Sequence, residues 1–399
     1  MVPKGWTPSQ VGDIAKFSSG GTPSKQNAEY WGGTEPWISG KDLKTHYLET
    51  SIDALTEAGF QAAKKAPKGA SLVLVRGMTL LKDFPVGYAT REVAFNQDLK
   101  ALVPAKNVDG LFLSFLLVAE KHKILQLVST AGHGTGRLDT HSLQEYPVNI
   151  PPLPEQKKIA QILSTWDRAI TTTEQLLTNS QQQKKALMQQ LLTGPHPSKP
   201  RLLDKNGVRF SGEWKSYHLS HVAVIVMGSS PKSEAYNENG IGLPLLQGNA
   251  DIKNRISAPR VFTSEITKEC EIGDILLSVR APVGTVAISE HKACIGRGIA
   301  ALHAKPNFDQ SFIYQFLLWF EPKWSSLSQG STFESINSDD IKNLKIKVPD
   351  LGEQQKIAAV LSTADQEITA LQQKLDALKQ EKKALMQQLL TGKRRVPLN

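Results

Sequence analysis

One stretch of this sequence occurs twice: residues 151–194 read PPLPEQKKIAQILSTWDRAITTTEQLLTNSQQQKKALMQQLLTG, and residues 349–392 read PDLGEQQKIAAVLSTADQEITALQQKLDALKQEKKALMQQLLTG. The offset is 198 residues without a gap, and 27 of the 44 aligned positions are identical. Agreement at this level indicates an internal duplication, so the chain of 399 residues is two tandem copies of one unit.

Both duplicated segments carry the apolar pattern of a long helix. Steps of four and three residues connect apolar positions over five heptads, which is the pattern of a coiled-coil seam. Prolines precede each segment and a glycine ends it, so each predicted helix is about 38 residues and about 57 Å long. The predicted seam residues are Ile159, Leu163, Trp166, Ile170, Leu177, Leu187, Leu191, Ile357, Leu361, Ile368, Leu371, Leu375, Leu378, Leu385 and Leu389.

The two helices are expected to pair with each other, because no other segment is long enough to cover their stripes. A globular block lies between them, so the chain can return and the pair can be antiparallel. Lys184 and Lys382 fall on the stripe and are expected to weaken its apolar contact near the C-terminal end.

The blocks before the helices repeat only weakly and read as mixed α/β. Apolar runs predict strands at residues 71–76, 87–94, 274–280 and 284–289 and helices at 112–127 and 312–327. Turns or polar loops are expected at 18–24, 32–34 and 228–233. The predicted fold is thus two pseudo-symmetric mixed α/β domains (residues 1–150 and 195–348) separated by two long helical segments that form an antiparallel coiled coil (151–194 and 349–399).

Composition excludes several classes of protein. The net charge is +9, which suits a polyanionic partner, but no segment is a basic arm. Two cysteines rule out a disulfide scaffold and fit a reducing cytosol, so a cytoplasmic location is expected. The N-terminus lacks the apolar core of a signal peptide, and no apolar run reaches the length of a membrane span.

Catalytic motifs are not found. No Gly-Lys pair is followed by Ser or Thr, so a P-loop is excluded, and Pro151-Pro152 lacks the flanking residues of an amino-methyltransferase motif. The glycine-rich run at residues 132–136 has the wrong spacing for a dinucleotide loop and is interpreted as a polar loop. A nuclease pattern from Asp350 and Glu381 is rejected because Glu381 lies deep in a helix. Histidines and cysteines show no metal-ligand spacing.

The polar loops of both blocks supply side chains that can contact DNA. Arg and Lys suit guanine and phosphate, Asn and Gln suit adenine, and Ser and Thr suit phosphate. The candidate DNA-binding residues are Thr22, Ser24, Lys25, Ser39, Lys41, Arg76, Arg91, Asn96, Gln97, Arg137, Ser230, Lys232, Gln247, Asn249, Arg255, Arg280, Arg297, Ser331 and Thr332.

The chain resembles the DNA-specificity (S) subunit of type I restriction–modification systems over essentially its whole length. The resemblance is carried by the runs at residues 20–24 (GGTPS), 30–33 (YWGG), 36–39 (PWIS) and 273–280 (GDILLSVR), and by the duplicated KKALMQQLLTG. Residues 228–231 (GSSP) depart from the Gly-Gly-Thr-Pro pattern in the second copy.

The resemblance implies a non-catalytic subunit in which each recognition domain reads one half of a bipartite, asymmetric site on double-stranded DNA. It implies that the coiled coil sets the gap and docks modification (M) methyltransferase subunits, to which restriction (R) subunits are added. No cofactor is expected on this chain; S-adenosylmethionine, ATP and Mg²⁺ are expected on the partners. Two alternatives remain: a coiled-coil adaptor with two protein-binding domains and, third, a standalone nuclease.

Overall fold

The computed structural model describes residues 2–131, 134–195, 200–324 and 335–397, which form two compact units. Unit 1 comprises residues 1–174 and 374–399, and unit 2 comprises residues 175–373. Each unit therefore combines one block with half of each duplicated segment. The sequence boundaries at residues 150, 194 and 348 stay a prediction.

Unit 1 is a mixed α/β unit. Its strands are β1 (Thr7–Gln10), β2 (Ala15–Ser19), β3 (Trp31–Ile38), β4 (Tyr47–Leu48), β5 (Ala54–Leu55), β6 (Lys65–Ala66), β7 (Ser71–Leu74), β8 (Arg76–Gly77), β9 (Val86–Ala89), β10 (Val93–Phe95), β11 (Leu99–Pro104), β12 (Val128–Ala131), β13 (Thr135–Leu138) and β14 (Pro147–Ile150). Its short helices are α1 (Val11–Ile14), α2 (Glu57–Ala62), α3 (Gly110–Ile124) and α4 (Thr140–Gln144).

The strands of unit 1 form one five-stranded sheet in the order β2-β11-β7-β9-β4 and one four-stranded sheet in the order β5-β3-β10-β6. A three-stranded sheet in the order β12-β13-β8 and the strand pair β1-β14 complete unit 1. Helix α3 supplies Phe112, Phe115 and Leu116 to the core, where they pack with Leu72 and Leu102 of the five-stranded sheet.

Unit 2 has the same plan. Its strands are β15 (Lys215–His218), β16 (Ala223–Met227), β17 (Tyr236–Asn237), β18 (Leu243–Leu246), β19 (Ile252–Lys253), β20 (Ile256–Ser257), β21 (Val261–Thr263), β22 (Glu269–Cys270), β23 (Ile275–Ser278), β24 (Val286–Ile288), β25 (Ala293–Ile295), β26 (Ile299–Ala304) and β27 (Lys345–Val348). Its short helices are α6 (Leu219–Val222), α7 (Gln310–Phe320) and α8 (Ser338–Lys342), and its sheets run β16-β26-β23-β24-β20-β19, β17-β21-β18-β25-β22 and β15-β27.

Two local predictions are wrong because of sheet pairing. The single strand expected at residues 87–94 is two strands, since β9 pairs with β7 whereas β10 leaves for the other sheet and pairs with β3. Residues 32–34, expected to be a turn, lie within β3 at a register shift between Trp31 and Glu35. Helices α3 and α7 start two residues before the predicted positions 112 and 312, because Asp109 and Asp309 cap them.

The duplicated segments form the long helices α5 (Leu153–Leu192) and α9 (Leu351–Leu389). In each unit, half of α5 packs antiparallel to half of α9: Asp167 meets Lys382 in unit 1, and Lys184 meets Asp365 in unit 2. The predicted mixed α/β class and the antiparallel helix pair are confirmed. All fifteen predicted seam positions are buried or half-buried.

The two stripe lysines are neutralised rather than left in an apolar seam. Lys382 forms an ion pair with Asp167, and Asp167 also accepts a hydrogen bond from Tyr47 Oη at 3.1 Å. In unit 2, Lys184 pairs with Asp365, which accepts from Gln315 Nε2 at 2.8 Å. Each aspartate therefore joins the opposite helix and the block at one point.

The repeated Glu-Gln at the start of each long helix also has a structural role. Gln156 Oε1 accepts from Asp109 N at 2.9 Å, and Gln354 Oε1 accepts from Asp309 N at 2.8 Å. The preceding glutamates are buried and ion-paired, Glu155 with Arg395 and Glu353 with Arg201. These contacts fix each helix start against the cap of a block helix.

Replacing Gln354 with Leu should destabilise unit 2. The change leaves the N–H of Asp309 and the carbonyl of Pro349 without their side-chain partner, at a cost of about 2–4 kcal/mol for the two groups. Thermal unfolding should show a lower Tm for Q354L. The exposed neighbour makes a matched control: Q355L should leave the Tm unchanged, and equal Tm values for the two variants would contradict the role of Gln354.

The folded chain should lose stability as the pH falls, because its His46 resists protonation. Burial lowers the pKa of His46 to about 4, with Lys382 acting in the same direction and Asp167 against it. The unfolded chain takes up the proton near pH 6.5, so stability is lost as the pH falls from about 6.5 to 4, by at most about 3 kcal/mol. In denaturation across this range, H46Q should show a flatter pH dependence than the parent chain. The exposed His122 is the control, and an H122Q profile as flat as that of H46Q would count against this assignment.

Candidate nucleic-acid interface

The polar loops of the two blocks are carried by the same backbone frame. Strands β3 and β10 are parallel neighbours in unit 1, and β18 and β25 are parallel neighbours in unit 2. Because parallel strands end at the same edge of a sheet, the loops that follow them lie side by side. Asn96 N donates to Ile38 O at 2.9 Å, and Gly296 N donates to Leu246 O at 2.8 Å.

This frame aligns the predicted contact residues of the two blocks pair by pair. Residues that follow β3 and β18 correspond, as do residues that follow β10 and β25. The matching pairs are Ser39 with Gln247, Lys41 with Asn249, and Gln97 with Arg297.

A glycine lets a third loop approach each frame closely. A Cβ at Gly20 would lie 2.1 Å from Asn96 O, and a Cβ at Gly228 would lie 2.2 Å from Gly296 O. Neither distance is possible for a real side chain, so both positions require glycine. The loops with Thr22 and Ser230 are thereby held against the strand ends.

In unit 2 five of the predicted residues line one open cleft of about 560 Å³: Ser230, Gln247, Asn249, Arg280 and Arg297. Tyr236 and Ser233 also line it; the sequence pattern did not single them out. The Arg280 and Arg297 side chains are exposed, and neither pairs with a carboxylate of the residues that the structure describes. The cleft is therefore lined by two cationic residues, two with side-chain amides and three with hydroxyl groups.

Two aspartates, the buried Asp251 and the half-buried Asp42, shape these loops. Asp251 Oδ2 accepts from Gln247 N at 2.8 Å, and Asp251 Oδ1 accepts from Arg260 Nε at 2.8 Å. In unit 1, Asp42 Oδ2 accepts from both Ser39 N and Ser39 Oγ at 2.8 Å. Ser39 is buried by this contact and shapes its loop.

The unit 1 loops expose a different set of groups. Thr22 Oγ1 donates to Gln97 Oε1 at 2.6 Å, and both side chains are exposed, as are Ser24, Lys25 and Lys41. Asn96 is buried. Its side-chain Nδ2 donates a hydrogen bond to Asp98 Oδ2, and its Oδ1 accepts one from Asp98 N.

Two arginines face each other on the small sheet of unit 1. Arg76 of β8 lies directly opposite Arg137 of β13, and both are exposed. Like charges directly opposite each other on a sheet repel, so the pair favours an anion between them. The corresponding bridge in unit 2 joins Arg280 to Ser335.

Two of the predicted arginines already have carboxylate partners, and one predicted lysine does not line the cleft. Arg91 pairs with Glu35, and Arg255 pairs with Glu321 and donates to Val286 O at 3.1 Å. Lys232 is exposed and is not among the residues that line the cleft. Ser331 and Thr332 lie outside the described residues, as do positions 132 and 133 of the glycine-rich run, whereas Thr135 and Gly136 belong to β13.

Aromatic residues of the resemblance motifs hold the loop in unit 1. Trp37 Nε1 donates to Gly21 O, and Trp31 Nε1 donates to Ser24 O, each at 3.1 Å. The rings pack edge to face with centroids 5.1 Å apart. In unit 2, Tyr236 Oη holds the corresponding GSSP loop by donating to Pro231 O at 3.2 Å.

Neither a metal site nor a membrane-spanning helix is found among the residues that the structure describes. In the part of the chain that the structure describes, no group of three His, Cys, Asp or Glu side chains is placed to hold a metal ion. Within the same ranges, no helix has both the length and the apolar character needed to cross a membrane.

Comparison with known proteins gives a consistent result. The family described as "Type I restriction modification DNA specificity domain" matches residues 3–179 and 211–380. A Methanocaldococcus jannaschii protein named as the MjaX specificity subunit of a type I restriction enzyme is 31% identical over 414 residues, which cover 99% of this chain and 95% of that protein.

Solved structures show the same fold. The S subunit of a type I restriction–modification system from M. genitalium gives a TM-score of 0.66 at 17% identity and covers 98% of this chain and 99% of its own. A chain from a type I R-M system structure concerned with complex assembly gives a TM-score of 0.60 at 24% identity, covering 99% and 100%.

Proposed function

The chain belongs to the family of type I restriction–modification DNA-specificity proteins, and from this premise we propose that each of its two blocks reads one half of a bipartite DNA site. The observation that carries the proposal is the pair of matched loop frames. They share their glycines and backbone hydrogen bonds, yet they expose different polar side chains. Such an arrangement suits two different half-sites read in the same manner.

The chemistry of the unit 2 cleft supports direct contact with DNA. Guanidinium groups bind guanine edges and phosphates, and carboxamides bind adenine edges. Arg280 and Arg297 are free of described carboxylates, and Gln247 and Asn249 lie in the same cleft. A protein-binding adaptor would have no need for this set of donors.

The long helices are proposed to set the gap between the half-sites. They contain 40 and 39 residues, so each is about 60 Å long, the rise of roughly 17 base pairs. A rigid spacer makes the second half-site contact intramolecular, which converts two weak contacts into one tight complex.

The same helices are proposed to dock modification (M) methyltransferase subunits. Lys185 and Ala186 on α5 are exposed, as are the identical residues Lys383 and Ala384 on α9. Helix packing does not require identity at exposed positions, so a partner that meets both copies is the better explanation. S-adenosylmethionine on these subunits, and ATP and Mg²⁺ on restriction (R) subunits, would supply the chemistry, and this chain would supply recognition.

Exchange of one block should change one half-site. A complex of this chain with its methyltransferase subunits should methylate a bipartite motif, which sequencing of methylated DNA would reveal. With residues 1–150 replaced by the block of another family member, one half of the motif should change, and the other half and the gap should stay. The chain without partners should transfer no methyl group from labelled S-adenosylmethionine. A motif with a single uninterrupted part, or methyl transfer by the chain alone, would contradict the proposed function.

Shortening both helices should shorten the gap. Deletion of residues 172–178 and 370–376 removes one heptad from each helix between the Asp167–Lys382 and Lys184–Asp365 pairs, so both pairs keep their partners. The rise lost, about 10 Å, predicts a gap shorter by roughly three base pairs with both half-sites unchanged. The exposed substitution T172A serves as the control and should keep the original gap. If the deletion variant methylated a motif with the original gap, the helices would not set it.

A further inference from the structure

The most informative feature beyond the proposed function is an arginine that occupies the same place in both blocks. Val75 N donates to Asp98 O at 2.9 Å, and Val279 N donates to Gly298 O at 3.0 Å. Val75 O accepts from Leu138 N, and Val279 O accepts from Ile336 N, each at 2.9 Å. The residue that follows these valines is Arg76 in one block and Arg280 in the other.

These bonds also place the arginine beside a residue that differs between the blocks. Asp98 follows Gln97, and Gly298 follows Arg297, so the strand carrying Arg76 lies next to Gln97 and the strand carrying Arg280 lies next to Arg297. In unit 2, Arg280 and Arg297 line one cleft. Both blocks therefore have an arginine at the first of these neighbouring positions, whereas the second position holds Gln97 in one block and Arg297 in the other.

We propose that Arg76 and Arg280 bind DNA phosphate, whereas Gln97 and Arg297 select the base at the equivalent position of each half-site. This inference rests on the proposed function. Two blocks that read different sequences still grip the same sugar–phosphate backbone, so a shared cation suits phosphate and a variable side chain suits a base. Arg297 favours guanine because a guanidinium can donate to both O6 and N7, and Gln97 favours adenine because a carboxamide can donate to N7 and accept from the N6 amino group.

Neighbouring contacts support these roles. Thr22 Oγ1 donates to Gln97 Oε1 at 2.6 Å, which orients the amide and leaves its Nε2 group and the second lone pair of Oε1 for a base. The backbone N–H of Arg297 donates to Ser230 Oγ at 3.1 Å, which holds the corresponding loop in unit 2. The opposed Arg137 strengthens the phosphate site of unit 1, because it adds a second cation across from Arg76.

Conservative substitutions separate the two roles in the complex with methyltransferase subunits. A phosphate contact needs only a positive charge, so R280K should keep affinity and its salt dependence, whereas R280A should weaken all sequences alike and reduce the slope of log K against log[salt] by about 1. A guanine contact needs the planar fork, so R297K should lose about 10- to 100-fold of discrimination at one base pair. The exposed K215A serves as the control for lost charge outside the cleft and should keep both affinity and discrimination.

A reciprocal exchange tests the choice of base. Q97R should shift one position of the first half-site towards G·C, and R297Q should shift the equivalent position of the second half-site towards A·T, as read from methylated motifs. If Q97R destabilises the fold, seen as a lower Tm, Q97A takes its place in the test. Q97A should leave the corresponding position of the half-site without a base preference. Unchanged motifs in Q97R, Q97A and R297Q, or relaxed base preference in R280A at an unchanged salt slope, would overturn the inference. The parent complex reports on the proposed function separately, because its bipartite motif does not depend on these variants.

Discussion

The structure depends on how each long helix neutralises the lysine in the apolar stripe of the other. Lys184 and Lys382 would be costly to bury alone, and an aspartate on the opposite helix pairs with each. A polar pair within an apolar seam fixes register, because any slip of the helices separates the charges. Asp167 and Asp365 also accept hydrogen bonds from Tyr47 and Gln315, so the register of the helices and the placement of each block on them are set together.

This constraint accounts for the uneven divergence of the two copies. Asp167 and Asp365 must each suit the opposite helix and a block at the same time, and Gln156 must suit the cap of a block helix. Such residues have few acceptable replacements. A side chain on the loop frame has only to leave the backbone bonds intact, so Gln97 and Arg297 can differ freely while Gly20 and Gly228 cannot. Stability and specificity therefore lie on different residues of the same unit.

The long helices could be predicted from the sequence because their pattern is local and repeats over five heptads. The strands were harder, since residues 87–94 are divided by their pairing with two different sheets. The candidate DNA-contact residues were harder still to predict from the sequence. Arg91 and Arg255 are indistinguishable in sequence from Arg280, yet their partners, Glu35 and Glu321, lie 56 and 66 residues away along the chain. Only the folded structure shows which cations are already paired.

The distribution of paired arginines also means that the net charge of +9 overstates the positive charge available to attract phosphate. Ion pairs with carboxylates occupy Arg91, Arg201, Arg255, Arg260 and Arg395. Each such pair serves folding, and its guanidinium contributes little to the field that attracts phosphate.

Among the described residues that line or flank the loop frames, the arginines without such a pair are Arg76, Arg137, Arg280 and Arg297. Non-specific affinity grows with the number of phosphates neutralised, so each arginine held in an ion pair lowers the non-specific affinity that a block can have for DNA. Weak individual contacts favour specificity, because a mismatched base then removes a large part of the binding free energy of that block. Under the proposed function, tight binding comes from joining the two blocks through their shared helices and from the methyltransferase subunits proposed to dock there.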